Sequence, residues 1–247
     1  MTNREEHIKL LEDLEEKYLK TDKQYFEFVW DGPSNWELYE NSFPKILFLV
    51  KEARNGYHPS TPLQKANTKF MRNIARWSLI IDKAFEQVEL PTMPPNNGLR
   101  EFNDSIAIME VKKINQENIS SSSKDLNEFA FEDREFLKRQ IKIIDPQVIL
   151  CAGTLDCFDI IHDHEYEFHQ KLFSIGNTNV WMVDKRLVIG FKHPSIFGWA
   201  DPNKKDNEAF ENLKNLLSND LVKTAIQQII TSSTAGKIGF TARLAGR

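Results

Sequence analysis

Pro44-Lys45-Ile46-Leu47-Phe48-Leu49-Val50-Lys51-Glu52 sets five apolar residues in succession between a proline and a charged pair. A run of this length without polar alternation suits a strand covered on both faces, as in a parallel sheet. Residues 105–111 have the same character, with Glu110 interrupting the apolar end. So do residues 148–151, set off by Asp145-Pro146, a pair that stops the preceding helix. Residues 180–183 and 187–191 read as two further strands around a tight Asp184-Lys185 turn.

Helical patterns fill the intervals. Residues 5–20 carry Ile8, Leu11, Leu14 and Tyr18 at three- and four-residue spacing among Glu and Lys. A second helix-like segment follows over 24–29. Residues 67–87 carry the stripe Phe70, Ile74, Trp77, Ile81 and Phe85. Further helices are predicted over 131–144, from Gly153-Thr154 to 161, and over 207–217. Gly56, Pro59 and Pro62 make a loop of 52–63, and Pro91, Pro94, Pro95 and Gly98 make another. Strands alternating with helices predict a three-layer α/β sandwich with a mainly parallel central sheet. Residues 44–230 form that domain, 1–43 a helical extension of it, and 231–247, rich in Ser, Thr, Ala and Gly, a poorly ordered tail.

The 247 residues are long enough for a sizeable core. A net charge of -4 excludes a generic basic nucleic-acid coat but not a local basic site. Residues 1–40 hold eleven acids and five bases, whereas Lys51, Arg54, Lys65, Lys69, Arg72 and Arg76 face a single acid, Glu52, over residues 51–76. On charge alone this stretch is a solvated face; the functional alternative is a patch that meets phosphate. Two cysteines, Cys151 and Cys157, supply neither an iron–sulfur cluster nor a four-cysteine zinc site, and argue for a reducing cytoplasm. No apolar run approaches the ~20 residues that span a bilayer. His162, His164 and His169 lie close together without the thiolates or H-E-x-x-H spacing of a metal site. No metal and no cofactor is expected.

Ligands of parallel α/β sheets bind beyond the carboxyl ends of the strands. Four such ends carry polar groups here: Lys51-Glu52-Ala53-Arg54, Glu110-Val111-Lys112-Lys113, Ala152-Gly153-Thr154 and Lys192-His193-Pro194-Ser195. Each has a plain structural reading, Thr154 as a helix cap among them. Together they predict one polar site. The phosphate loops G-x-x-x-x-G-K-[ST] and G-x-G-x-x-G are missing, as is the G-x-S-x-G elbow, which disfavours P-loop, dinucleotide and α/β-hydrolase chemistry.

Over residues 44–218 the order of elements resembles the uracil-DNA glycosylase superfamily. The matching pieces are Ile46–Arg54 as first motif, Asp145–Gly153 as middle strand and Val188–Ser195 as last, with His193-Pro194-Ser195 the most specific part. The resemblance implies a glycosylase-like fold and a monofunctional DNA glycosylase that flips a nucleotide out of single- or double-stranded DNA and hydrolyses its base. His193 would stabilise charge developing on the leaving base, and Glu52 would position or activate water. Ser195 would hold a phosphate, and Phe197 would fill the vacated stack. Lys51, Arg54, Lys112 and Lys113 would hold the backbone by charge, with Gly153 and Thr154 at the same strand ends.

This chain departs from the family pattern. Known members have Gly, then Asp or Asn, then Pro and an aromatic in the first motif; this chain has Lys51-Glu52-Ala53-Arg54. Glu110 stands where an Asn reading the base is expected. As an ionised, pure acceptor it would favour an amino-bearing edge, and so an unusual, damaged or modified base. It could equally serve as a second acid/base or pair with Lys112 or Arg54. A second His58-Pro59-Ser60 lies near the first motif. DNA repair or antiviral defence is the implied setting. The competing expectations are a nucleic-acid-binding module without chemistry and a hydrolase of free nucleosides or nucleotides.

Overall fold

Thr2 opens the first helix by a capping box with Glu5, worth about 1 kcal/mol, and the helix α1 runs Asn3–Leu19. In the computed structural model, residues 1–52, 68–94, 104–115, 121–164, 170–175, 178–195 and 202–245 are described. After α1 come a 3-10 turn (Asp22–Tyr25), β1 (Glu27–Phe28), β2 (Gly32–Pro33), α2 (Trp36–Asn41), β3 (Ile46–Glu52), α3 (Lys69–Phe85), β4 (Ile106–Lys112) and β5 (Ile114–Asn115). Then follow α4 (Ser123–Glu132), α5 (Arg134–Ile144), β6 (Val148–Ala152), α6 (Leu155–Ile161), β7 (Gln170–Ile175), β8 (Thr178–Val183), β9 (Arg186–Phe191), α7 (Pro202–Leu217) and α8 (Asp220–Ala245).

The main sheet has the order β2-β4-β3-β6-β9-β8-β7. Its inner strands β4, β3, β6 and β9 are parallel, while β2, β8 and β7 run antiparallel to their neighbours. The protein is therefore mixed α/β with a mainly parallel central sheet. Alternation along β3 splits the apolar run between two cores. Ile46, Phe48 and Val50 pack with α3, α7 and α8, whereas Leu47 and Leu49 pack with α4, α5 and α6. All five are buried, and each such side chain contributes about 1.5–3 kcal/mol relative to exposure. A helical layer on each face explains why this strand carries no polar alternation. Among the described residues no helix is long and apolar enough to cross a membrane.

The N-terminal extension belongs to this sheet. β2 lies antiparallel on β4, with Gly32 opposite Ile108, and β1 pairs with β5, with Phe28 opposite Ile114. α1 buries Leu11, Leu14 and Tyr18 against Phe28 and Ile114, while Ile8 of the expected stripe is exposed.

Three local expectations differ from the structure. Residues 24–29, read as helical, are a single 3-10 turn and a strand, because Phe28 is drawn into pairing with Ile114. The helix expected over 131–144 is two helices broken at Asp133, whose buried carboxylate accepts from the Tyr18 hydroxyl and from Lys17 Nζ (2.6 Å) on α1. The strand β7 was not expected at all; its pairing with β8 shifts register between Lys171 and Phe173, and that irregularity blurs a two-residue period. The Asp184-Lys185 turn is as expected, with both residues at positive φ (47° and 65°), the geometry that matches hairpin twist.

Candidate functional site

The four parallel strands end on one side of the sheet and bring their polar termini into register. Glu52 stands opposite Lys112 across β3 and β4, and Ala152 opposite Phe191 across β6 and β9. Gly153 follows β6 at φ +75° and donates its N–H to Phe191 O (2.8 Å). A Cβ there would lie 3.3 Å from Lys51 Cε and 3.7 Å from His193 Cβ, so the glycine keeps the two side chains close together. Lys51, Gly153 and His193 thus form one cluster.

His193 is held by its own turn. Ser195 N donates to His193 Nδ1 (3.2 Å), which makes Nδ1 an acceptor and puts the neutral ring's proton on Nε2. Pro194 O accepts from Asn73 Nδ2 (2.8 Å) of α3, and the Phe70 ring lies 5.8 Å from the imidazole. Asn73 and Phe70 are therefore part of this site. In sequence they are inconspicuous: Phe70 reads as core stripe, and a lone Asn in an amphipathic helix reads as its polar face. Asp206 of α7 is 3.0 Å from Lys69 Nζ and 3.9 Å from Arg76 Nη1, so two bases of the cationic stretch are engaged in an ion-pair cluster.

Glu52 belongs to a second cluster. Its Oε1 accepts from Ser121 N (3.0 Å) and its Oε2 from the Ser121 hydroxyl and from Lys112 Nζ (3.4 Å). Lys112 also donates to Ser121 Oγ (2.8 Å) and lies over the Phe129 ring. The Glu52 side chain is 4% exposed and that of Lys112 1%. Ser121, in a serine-rich loop, gave no sequence signal for this part.

Deeper along β4, Glu110 is buried, and its Oε2 has no hydrogen-bond partner among the described residues. Burial, with the Asp31 carboxylate nearby and Glu52 beyond it, pushes this carboxyl well above the ordinary carboxylate range, against the opposing pull of Lys113. The shift favours the protonated form of Glu110, which has one donor and one acceptor where the ionised form has acceptors only.

The expectation for Lys113 is corrected. Its ammonium pairs with Asp31, and neither side chain is accessible to water, so it does not hold a nucleic-acid backbone. Asp31 also accepts from Glu110 N (2.6 Å) and Gln140 Nε2 (2.6 Å), and Gln140 reaches His7 Nε2 (2.9 Å) on α1. Thr154 is buried, and its hydroxyl donates to Leu49 O (2.7 Å) rather than capping α6. Arg54, His58, Phe197 and His169 lie outside the described residues. His162 stacks on Phe158, and His164 pairs with Asp159 (2.8 Å).

Comparison of the sequence with models of known protein families and with curated proteins finds no match.

Proposed function

We propose that the chain is a monofunctional DNA glycosylase, with His193 as the group that meets the departing base. The observation that carries this reading is the Ser195–His193 hydrogen bond, which keeps Nε2–H as the donor at the edge where Lys51 and Gly153 converge. In the reaction, water adds to the sugar C1′, the glycosidic bond breaks, its electron pair leaves with the base, and the proton lost by the water ends on the released base. A preplaced neutral donor stabilises the negative charge that develops there. Phe70 supplies an aromatic face beside the imidazole, suited to a flipped base. Lys51 supplies positive charge for the backbone. The glycosylase-like fold rests on the same resemblance, supported by the parallel strands that carry the matching motifs on neighbouring positions.

The upward shift of the Glu110 carboxyl widens the substrate expectation. A carboxylic acid pairs with an edge that offers both a carbonyl and an N–H, so keto bases join modified ones as candidates.

A second reading, a DNA-binding module without turnover, is favoured by one observation. Both Glu52 oxygens are engaged by Ser121 and Lys112, so Glu52 activates water only if that contact opens.

Base release from single- and double-stranded DNA carrying uracil, hypoxanthine, damaged bases or modified cytosines separates the two readings. Release of one base, suppressed by His193→Ala and by Glu52→Gln, supports the glycosylase. No release from any substrate, with salt-sensitive DNA binding intact, selects the binding module.

A further inference from the structure

Asn73 lies one helical turn into α3 and is 2% exposed, an expensive place for a side-chain amide unless every polar atom is used. Both ends are used. Nδ2 donates to Pro194 O (2.8 Å) and to Asp206 Oδ1 (3.3 Å), and Oδ1 accepts from Arg76 Nη1 (3.3 Å). The partners fix the amide's orientation, because a flipped amide would set its oxygen against a carbonyl and a carboxylate and its NH₂ against a guanidinium. Pro194 has no N–H, so its carbonyl is the peptide handle by which the turn is gripped. That carbonyl lies between His193 and Ser195, the two residues joined by the bond that sets the imidazole tautomer. The Phe70 ring also lies against the imidazole, tilted 44° at 5.8 Å.

We propose that Asn73 is a positioning residue for His193: its amide holds the Pro194 carbonyl, and through it the turn that keeps Nδ1 an acceptor and Nε2 a donor. The catalytic task of His193 rests on the reading above; the control of its tautomer by Asn73 does not. Asp206 and Arg76 serve this arrangement by orienting the amide from α7 and from the next turn of α3.

The test is the imidazole ¹⁵N spectrum of His193 at a pH where the ring is neutral, recorded for the full chain and for Asn73→Asp and Asn73→Ala. Asn73→Asp keeps the shape but sets a carboxylate against Pro194 O and Asp206; Asn73→Ala removes the donor without adding charge. Ser78→Ala is the control, since the Ser78 hydroxyl is equally buried on α3 but donates to Ile74 O (2.9 Å), away from the turn. The wild type and Ser78→Ala should give the pattern of a single Nε2–H tautomer, and both Asn73 variants a shift toward mixed tautomers. Base release should then fall ~10²-fold in kcat with KM little changed, the scale of a misplaced catalytic group. Should Asn73→Asp fail to fold, Asn73→Ala decides alone. An unchanged His193 pattern in a folded Asn73 variant overturns the inference whatever base release does. A shifted pattern in a protein that releases no base leaves Asn73 in place and removes the glycosylase instead.

Discussion

The Lys113 ammonium and the Asp31 carboxylate meet at the boundary between the N-terminal extension and β4, with neither side chain accessible to water. Such a pair pays a large desolvation cost, so removing one partner strands a buried charge. Asp31→Ala should therefore destabilise the fold by about 3–5 kcal/mol. Replacing both residues with apolar ones should cost less than Asp31→Ala alone. Urea denaturation of the two variants checks this; a double variant weaker than the single would contradict it.

His7 gives the extension a pH signature. Burial lowers its pKa from 6.5 to about 4, the nearby Asp31 carboxylate opposing this and Lys113 reinforcing it. The unfolded chain thus takes up a proton between pH 6.5 and about 4 that the folded chain does not. The stability linked to His7 is complete above pH 6.5 and declines as pH falls toward 4, by roughly 3 kcal/mol in all. In His7→Gln that slope should vanish, as denaturation midpoints at half-unit pH steps would reveal.

Glu110 has the opposite sign. Its folded pKa lies above the ordinary 4.5, so the stability linked to the protonated form is complete below pH 4.5 and is lost as pH rises through the folded value. Glu110→Gln keeps a neutral group of similar shape. It should match the wild type near pH 4 and be the more stable protein at pH 8. A deficit of equal size at both pH values, read from thermal midpoints, would refute the assignment.

Two lysines with one expected role should separate in DNA binding. Lys51 stands beside His193 and Gly153, so Lys51→Ala should reduce the slope of log affinity against log salt by about one. Lys113→Met should leave that slope unchanged and alter stability alone. Equal slopes for Lys51→Ala and the wild type would remove Lys51 from the interface.

Gly32 and Gly190 lack room for a methyl group in different ways. A Cβ on Gly32 would lie 2.6 Å from His7 Cε1, at φ +114°. One on Gly190 would lie 2.8 Å from Leu155 Cδ2, the far end of a side chain that can turn away. Gly32→Ala should cost roughly 3 kcal/mol and Gly190→Ala about 1 kcal/mol. Unfolding midpoints give the order directly.

The parallel core was legible because Ile46–Val50 and residues 148–151 lie under helices on both faces, and burial on both faces erases polar alternation. The cluster of Lys51, Gly153 and His193 was legible for the same reason, since strand ends in such a sheet share one side. Lys113 was not. Its partner Asp31 lies 82 residues earlier, and no local pattern distinguishes a buried lysine from a solvated one. Thr154 sits at the expected turn, yet the choice of Leu49 O as partner depends on how closely β3 and β6 approach. The break at Asp133 depends on Tyr18 and Lys17, more than a hundred residues away. Titration was the least legible: burial and the neighbouring Asp31 raise the Glu110 carboxyl, and neither is visible in the local sequence.

The pairing of β1 with β5 also sets a timetable for synthesis. Glu27 is opposite Asn115, and their side chains meet across 88 residues of chain. Growing at about 5–20 residues per second, the nascent chain displays Asp31 for about 4–16 seconds before Lys113 exists to neutralise it. Until then β2 has no strand to lie against, and residues 1–40 cannot complete their fold. Residues 27–33 thus wait for strands made later, and a pause in translation between residues 44 and 113 prolongs the interval in which that segment's apolar side chains are uncovered.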